Sequence, residues 1–337
     1  MIRSTVPRTP KPAPIYIADP EVEKAAFGSD IMRGLSSTPK ALSSKYFYDG
    51  TGSRLFRKIM DLPEYYLTRT ETDIFSQQQK EIIYSFAAGK STFDLVDLGA
   101  GDAAKTKILL QELLAEHISF TYVPIDISAH AMEDLSQDLH QELPALTVNA
   151  LTSDYFTALN WMQHHRPTRK VVFFLGSNIG NFGPKAIRTF ARRLRRYLKS
   201  GDQVLMGFDL KKEPHLIRQA YDDAAGITAA FNFNLLHRIN HEFNGNFDVD
   251  SFRHFAEYNP VSGDMKSYLL PATQQEVFLA DLDYRFTLEA WEPIHTETSH
   301  KFSLREIERL GLAAGFRIND VFTDDKQYFA DVLFDVV

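Results

Sequence analysis

The sequence predicts an α/β fold with a mostly parallel sheet of seven strands, a terminal antiparallel strand and an additional α+β lobe. Between residues 93 and 208, five short apolar runs alternate with helix-like segments, which is the pattern of parallel strands joined by crossover helices. Near the end, the runs 319–322 and 328–336 are joined only by the segment TDDKQ. A connection this short implies an antiparallel pair.

The predicted elements follow one another in a simple order. We expect a loosely held arm at residues 1–15 and mostly helical structure up to residue 84, broken at Pro63. The five strands expected in the parallel part are Phe93–Leu98, Phe120–Ile125, Leu146–Ala150, Val171–Leu175 and Gln203–Phe208. The helices expected between them are Lys105–Glu116, Ala129–Gln141 and Lys185–Lys199.

The alternation stops after residue 210 and returns near residue 303. Residues 211–290 read as a helix followed by longer β-like segments, which predicts an insertion or a second lobe. A helix is then expected at Ser303–Gly315, where Ser303 and Glu306 have the spacing of a capping box.

Composition excludes several classes of function. The 337-residue chain has a net charge of −7, which disfavours a general phosphate-binding surface, so no nucleic-acid partner is expected. It has no cysteine, which excludes disulfides and thiolate chemistry, and its 11 histidines show no paired-ligand spacing, so no metal is expected. No apolar run has the length of a signal peptide or membrane helix, and a cytoplasmic enzyme is the expectation.

The segment FDLVDLGAGDAAKTK, residues 93–107, predicts a cofactor site. An apolar run ends in a loop with Gly99 and Gly101, and a helix-like run follows at once. Asp126 closes the next apolar run, about 20 to 30 residues further on, where a carboxylate can accept hydrogen bonds from ribose hydroxyls. A ribose-bearing cofactor is therefore expected at this loop.

Two features favour an adenosyl cofactor over a dinucleotide. The loop lacks a regular third glycine, because Ala103 and Lys105 occupy that region, and no P-loop lysine motif follows. The terminal strand pair is typical of class I S-adenosylmethionine-dependent methyltransferases, whereas a dehydrogenase usually has a second βαβαβ half. A dehydrogenase that uses NAD remains the alternative at the level of the fold.

The chain resembles the histidine-specific Nα-methyltransferases of ergothioneine biosynthesis, which form hercynine. The segments that carry the resemblance spread over most of the chain: KYFYDGTGSRLF (45–56), LPEYYLTRTE (62–71), DLGAGDAAKT (97–106), FFLGSNIGNF (173–182), AYDDAAGITAAFN (220–232) and HTETSHKF (295–302). The resemblance implies a monomer with S-adenosylmethionine as cofactor and S-adenosylhomocysteine as product. It implies a Rossmann-like methyltransferase domain at 62–210 and 291–337, and a substrate-binding lobe at 16–61 and 211–290.

The resemblance also assigns cofactor-binding residues. Gly99 lets the backbone approach the methionine moiety, Asp126 binds the ribose, and Lys105 belongs to the same site. Asp154 and Tyr155 meet the adenine, and Tyr65 reaches the cofactor from the substrate side. Without the resemblance, Asp126 reads as a strand-end or helix-capping carboxylate and Asp154 and Tyr155 read as turn residues.

The substrate implied by the resemblance is an amino acid, with L-histidine as the acceptor. Asn181 and Tyr221 hold its carboxylate, although Asn181 alone reads equally as a helix N-cap. Tyr48, an orienting hydrogen-bond partner in catalysis, lies near the α-amino group together with the backbone of Gly176. Without the resemblance, Tyr48 reads as a core aromatic residue and Tyr221 as a half-buried helix tyrosine.

Glu297 and Ser299 are assigned to the imidazole of histidine. On a strand these two positions face the same way, so their side chains can bond the two ring nitrogens. An exposed polar strand is the alternative for the segment TETS when it is taken alone.

Two alternatives to histidine methylation stay open. Ser267 stands where histidine-specific members often carry methionine, so another amino acid is a possible acceptor. A catalytically silent cofactor-binding module would predict loss of Tyr48, Asn181 or Tyr221, and all three positions are filled.

Overall fold

The computed structural model describes residues 14–16, 20–89 and 91–337. Its strands are β1 (Ile15–Tyr16), β2 (Lys40–Ala41), β3 (Phe93–Leu98), β4 (Phe120–Asp126), β5 (Leu151–Thr152), β6 (Arg169–Phe174), β7 (Gln203–Asp209), β8 (Phe252–Asn259), β9 (Asp264–Pro271), β10 (Gln275–Leu279), β11 (Tyr284–Leu288), β12 (Ile294–His300), β13 (Phe316–Thr323) and β14 (Phe329–Val336). Its α-helices are α1 (Pro20–Leu35), α2 (Gly50–Met60), α3 (Tyr66–Ala87), α4 (Thr106–Ala115), α5 (Ala129–Glu142), α6 (Tyr155–His165), α7 (Pro184–Arg196), α8 (Pro214–Gln219), α9 (Ile227–Glu242) and α10 (Leu304–Ala314). No helix in these described ranges has the length and apolar character needed to cross a membrane.

An eight-stranded sheet forms the main domain, in the order β1-β5-β4-β3-β6-β7-β14-β13. The first six strands are parallel, and β14 is antiparallel to both β7 and β13. The predicted parallel sheet with a terminal antiparallel strand is confirmed. The sheet has one strand more than predicted, because Ile15 and Tyr16 pair with β5. The rest of the predicted arm, residues 1–13, lies outside the described residues.

The third parallel strand was predicted slightly too early in the chain. Leu146–Ala150 is apolar, but it touches β4 at a single bridge between Val148 and Tyr122, and the paired strand is Leu151–Thr152. Apolar character alone therefore located the segment but not its hydrogen bonding.

Helices cover both faces of this sheet, and consecutive residues of its strands enter two different cores. In β6, Phe173 packs edge-on against Phe86 of α3, while Phe174 stacks on Phe190 of α7 with ring centroids 4.6 Å apart. A strand buried on both faces reads as a nearly continuous apolar run, which is why residues 171–174 of β6 were visible in the sequence.

A second lobe lies at the carboxyl edge of the main sheet. It contains a four-stranded sheet, β2-β12-β9-β8, the hairpin β10-β11, and a third core to which α1 and α9 contribute. The sequence had assigned residues 291–337 to the methyltransferase domain, but β12 pairs with β9 and β2 of the second lobe. Just beyond β12, the Phe302 N–H donates to the Asp209 carbonyl at 2.8 Å. This contact fixes the end of β12 beside the end of β7.

Candidate active site

The loop after β3 is shaped for close approach of a ligand. Gly99 has φ +77°, and a Cβ atom there would lie 2.8 Å from the Tyr155 hydroxyl and 3.4 Å from the Asn178 amide nitrogen. A side chain at this position would therefore be strained and would clash with the Tyr155 hydroxyl. The structure thus brings together Gly99 and Tyr155, two residues predicted separately for the cofactor site.

Asp126 lies at the end of β4, next to the same loop. Its Oδ2 atom accepts a hydrogen bond from Gly101 N at 3.2 Å, and its Oδ1 atom accepts one from Ser128 N at 2.9 Å. Burial raises the pKa of Asp126, and these backbone N–H groups oppose that rise. Each oxygen keeps a lone pair that can accept from a ribose hydroxyl, so the residues present fit an adenosyl group.

Asp154 has a structural contact that the sequence left open. Its carboxylate caps α6 by accepting hydrogen bonds from Phe156 N and Thr157 N, at 3.0 and 3.2 Å. The next residue, Tyr155, packs edge-on against Phe174. The adenine contact of this pair stays a prediction, and the cap explains how the first turn of α6 is held near the loop.

Lys105 and Gly176 are joined through a glutamate that sequence reasoning missed. Glu71 of α3 is fully buried, forms an ion pair with Lys105, and accepts a hydrogen bond from Gly176 N at 2.7 Å. Gly176 has φ +70°, and a Cβ atom there would lie 3.5 Å from Lys105 Nζ. The only sequence signal for Glu71 was its place at the end of the segment LPEYYLTRTE.

Aromatic rings from both lobes form one wall. The Tyr48 ring lies edge-on to Phe56 and Phe231, with centroids 5.5 and 5.7 Å away. The Tyr65 ring lies 6.3 Å from that of Tyr221. Tyr48 therefore packs among aromatic residues, as expected for a core aromatic residue. Its packing partners hold the phenol in one orientation.

The electrostatics of Tyr48 connect the two predicted halves of the site. Burial raises the pKa of its phenol well above the usual value, and the Glu297 carboxylate and the hydroxyls of Tyr65, Tyr155 and Tyr221 raise it further. Residues predicted for cofactor and for substrate thus lie near enough to one phenol to affect its pKa. A phenol with a raised pKa stays protonated near neutral pH, which suits an orienting role better than that of a proton acceptor.

A row of polar side chains stands at alternate positions: Glu297 and Ser299 of β12, and Lys301 just beyond the end of that strand. Glu297 stands opposite Ser267 of β9, whose hydroxyl is buried and has no hydrogen-bond partner among the described residues. Burial raises the pKa of Glu297 to about 7, and the Lys301 ammonium opposes that rise. This carboxyl is therefore partly ionised near neutral pH.

Ser299 and Tyr221, which were predicted to contact different parts of the substrate, touch each other. The Tyr221 hydroxyl donates to Ser299 Oγ at 2.8 Å. Lys301 Nζ donates to both oxygens, each at 2.8 Å, and pairs with Asp209 at 2.7 Å. Lys301 and Asp209 were missed. Alternation along a strand through 297, 299 and 301 was the one signal available for Lys301.

Asn181 ends a short 3-10 helix, Asn178–Asn181, that follows β6. This helix packs closely on β12, since a Cβ atom on Gly180 would lie 2.7 Å from the His300 carbonyl oxygen. The N-cap of α7 is Gly183 rather than Asn181, so the capping interpretation of Asn181 is wrong. Asn181 itself is half-buried, at the end of the short helix that packs on β12.

Comparison with known proteins identifies the family. A family model described as "Histidine-specific methyltransferase, SAM-dependent" matches residues 27–336. The chain is 38% identical over 299 residues to the histidine N-alpha-methyltransferase of Mycolicibacterium smegmatis, covering 89% of this chain and 91% of that protein. It is 28% identical to ergothioneine biosynthesis protein 1 of Schizosaccharomyces pombe, covering 73% of this chain and 32% of that protein.

A third relative has a different name. The chain is 27% identical over 315 residues to a 4-dimethylallyltryptophan N-methyltransferase of Claviceps fusiformis, covering 88% of each. The match of the family model spans nearly the whole chain, and the relative from M. smegmatis is similar over nearly its full length. The chain therefore belongs to the histidine-specific, S-adenosylmethionine-dependent methyltransferase family.

Proposed function

We propose that this protein transfers methyl groups from S-adenosylmethionine to the α-amino nitrogen of L-histidine, up to trimethylated hercynine, in ergothioneine-type biosynthesis. The observation that carries the proposal is the pair Glu297 and Ser299, two residues apart on one strand, with Ser299 hydrogen-bonded to Tyr221 and the Glu297 carboxylate raising the pKa of Tyr48. The relatives named for histidine methylation and for ergothioneine biosynthesis support it. Cytoplasmic location and a monomeric state stay predictions.

The reaction is an in-line displacement in which the cofactor supplies an already activated sulfonium methyl group. The protein then has to position the amine, exclude water and keep the nucleophile neutral. A free α-amino group has a pKa of about 8, so about a tenth of it is neutral at pH 7. Burial beside a cation lowers that pKa further, and no strong base is required. The Tyr48 phenol orients the amine by hydrogen bonding.

Recognition of the acceptor uses its two ends. The amide of Asn181 is a suitable donor to the substrate carboxylate, and ionised Glu297 accepts an imidazole N–H. Ser299, which accepts the hydroxyl hydrogen of Tyr221, bonds the other ring nitrogen. The aromatic wall around Tyr48 provides ring faces for the ammonium group, whose positive charge becomes permanent with the third methyl.

A direct experiment is to incubate the purified protein with S-adenosylmethionine and an equimolar mixture of the twenty amino acids. Mass spectrometry should show one to three added methyl groups on histidine. Glu297→Ala should weaken histidine use selectively, whereas Asp126→Ala should weaken all methyl transfer. Absence of methylated histidine with the wild-type protein would reject the proposal.

A second candidate function is Nα-methylation of another amino acid. The observation that favours it is Ser267, a buried hydroxyl that has no partner among the described residues and stands opposite Glu297. An acceptor with an additional polar group on its side chain could bond this hydroxyl. In the same mixture, a larger methyl gain on an amino acid other than histidine would establish this function instead.

A further inference from the structure

Lys301 contacts residues that are predicted to bind histidine, and its side chain is completely buried. Its Nζ atom lies 2.7 Å from Asp209 Oδ2, 2.8 Å from the Tyr221 hydroxyl and 2.8 Å from Ser299 Oγ. An ammonium group has three N–H donors and no acceptor, so these three contacts use all of its hydrogens. Lys301 is therefore connected to two of the predicted substrate-binding residues at once.

The ion pair with Asp209 provides the charge that such a buried lysine needs. Asp209 is also fully buried, and burial works against its ionisation, but the ammonium groups of Lys301 and Lys212 hold its pKa below the usual value. A buried ammonium without a counter-ion would lose its proton. Asp209 is therefore the counter-ion of the buried Lys301 ammonium group.

The hydrogens around Ser299 can be counted. Tyr221 and Ser299 both accept from Lys301, and each retains its own hydroxyl hydrogen. Tyr221 gives its hydrogen to Ser299 Oγ. The Ser299 hydrogen then has no acceptor among the described residues, and it is free to be donated to a ligand.

We propose that Lys301 is a positioning residue that makes the Tyr221–Ser299 pair a hydrogen-bond donor, so that the pocket selects the neutral form of the histidine imidazole. This rests on the proposed function. Ionised Glu297 accepts only from an N–H, and Ser299 then requires an unprotonated nitrogen. A neutral imidazole offers one nitrogen of each kind. An imidazolium carries N–H groups at both positions and would place one against the Ser299 hydrogen.

The wild-type protein gives a first test that needs no variant. Histidine labelled with ¹⁵N in the ring is bound in the presence of S-adenosylhomocysteine at about pH 7, where about half of Glu297 is ionised and about a quarter of free histidine is imidazolium. We expect one protonated and one unprotonated ring nitrogen in the bound spectrum. Two protonated nitrogens would overturn the proposal.

Two lysine variants give a second test, because both lysines pair with Asp209. Lys212 donates to the Tyr66 hydroxyl at 3.0 Å and to the Leu210 carbonyl, and in the described structure it contacts neither Tyr221 nor Ser299. Lys301→Met should raise the KM for histidine by about 10- to 100-fold, the usual effect of losing charge-assisted hydrogen bonds, while the cofactor dissociation constant is unchanged. Lys212→Met should raise the histidine KM much less. Equal losses in the two variants would contradict a positioning role.

A double variant separates positioning from general damage. If Lys301 acts through Ser299, adding Lys301→Met to Ser299→Ala should cost less than the sum of the two single effects, whereas independent effects would add. Melting curves and S-adenosylhomocysteine binding check that each variant folds. If Lys301→Met does not fold, the ¹⁵N experiment on the wild-type protein still tests the proposal. Failure of the wild type to methylate histidine would reject the proposed function; an unchanged histidine KM in a folded Lys301→Met variant would reject only this inference.

Discussion

Replacing Glu297 by glutamine should stabilise the folded protein above pH 7 while it weakens the use of histidine. Burial raises the pKa of this carboxyl from 4.5 to about 7, and Lys301 offsets the rise only in part. One pKa unit corresponds to about 1.4 kcal/mol, so ionised Glu297 destabilises the fold by about 3 kcal/mol at most. Because the residue is only half-buried, solvent screening reduces this, and about 1 to 3 kcal/mol is the expected range.

The sign of the pH dependence follows from the two pKa values. Below about pH 4.5, Glu297 is protonated in both the folded and unfolded states and costs nothing. Between pH 4.5 and 7 the unfolded chain ionises first, so this carboxyl lowers stability as pH rises. Above pH 7 the full cost is present. Glutamine has nearly the same shape and never ionises.

The assay is urea unfolding of ligand-free wild type and Glu297→Gln at about pH 5 and about pH 8. The free energy of unfolding of the variant, relative to wild type, should rise by about 1 to 3 kcal/mol between the two pH values. Glu308→Gln, at an exposed position of α10, is the matched control and should show no such change. The reasoning would be refuted if the difference in unfolding free energy between variant and wild type does not depend on pH, or if the wild type is more stable than the variant at about pH 8.

Three further substitutions test other parts of the site. Asp126→Ala should weaken S-adenosylmethionine binding by about 10- to 100-fold in calorimetry, because hydrogen bonds to a charged acceptor are lost; unchanged affinity would remove Asp126 from the site. Gly99→Ala should lose both stability and cofactor affinity, because its Cβ meets the Tyr155 hydroxyl, whereas Gly89→Ala, with φ +63° and open space, should lose stability only; equal cofactor affinity in both would contradict this. Tyr48→Phe should lower kcat without changing the shape of its pH profile, since the phenol does not titrate near neutral pH; loss of a pH-dependent limb would show that Tyr48 acts as a base.

The main domain could be predicted because its signals are local. The β3 strand has the predicted bounds, Phe93–Leu98. All of its residues are buried, so most of them are apolar and the strand stands out as one short run in the sequence. The second lobe was harder because its strands are buried on one face. The β8 strand alternates buried and exposed positions and includes Arg253, Glu257 and Asn259, so no apolar run marks it.

In the candidate site, too, some contacts could be predicted from the sequence and others could not. Adjacent parallel strands end at one edge of a sheet, so the approach of Asp126 to the glycine loop followed from the order of elements. The contacts of Lys301 with Asp209 and Tyr221 depend on how β12 joins the end of β7, and nothing local in the sequence specifies that. Glu71 was missed for the same reason, because its partners lie on two distant loops.

The central claim is that the imidazole is held on β12 while the α-amino group meets the methyl donor. The position of the added methyl groups tests it most directly. Histidine is incubated with excess S-adenosylmethionine, and the product is examined by proton and ¹⁵N-correlated NMR. We predict a single methyl signal that correlates with the α-nitrogen and ring nitrogens that carry no methyl group. A methyl group on either ring nitrogen would contradict the account.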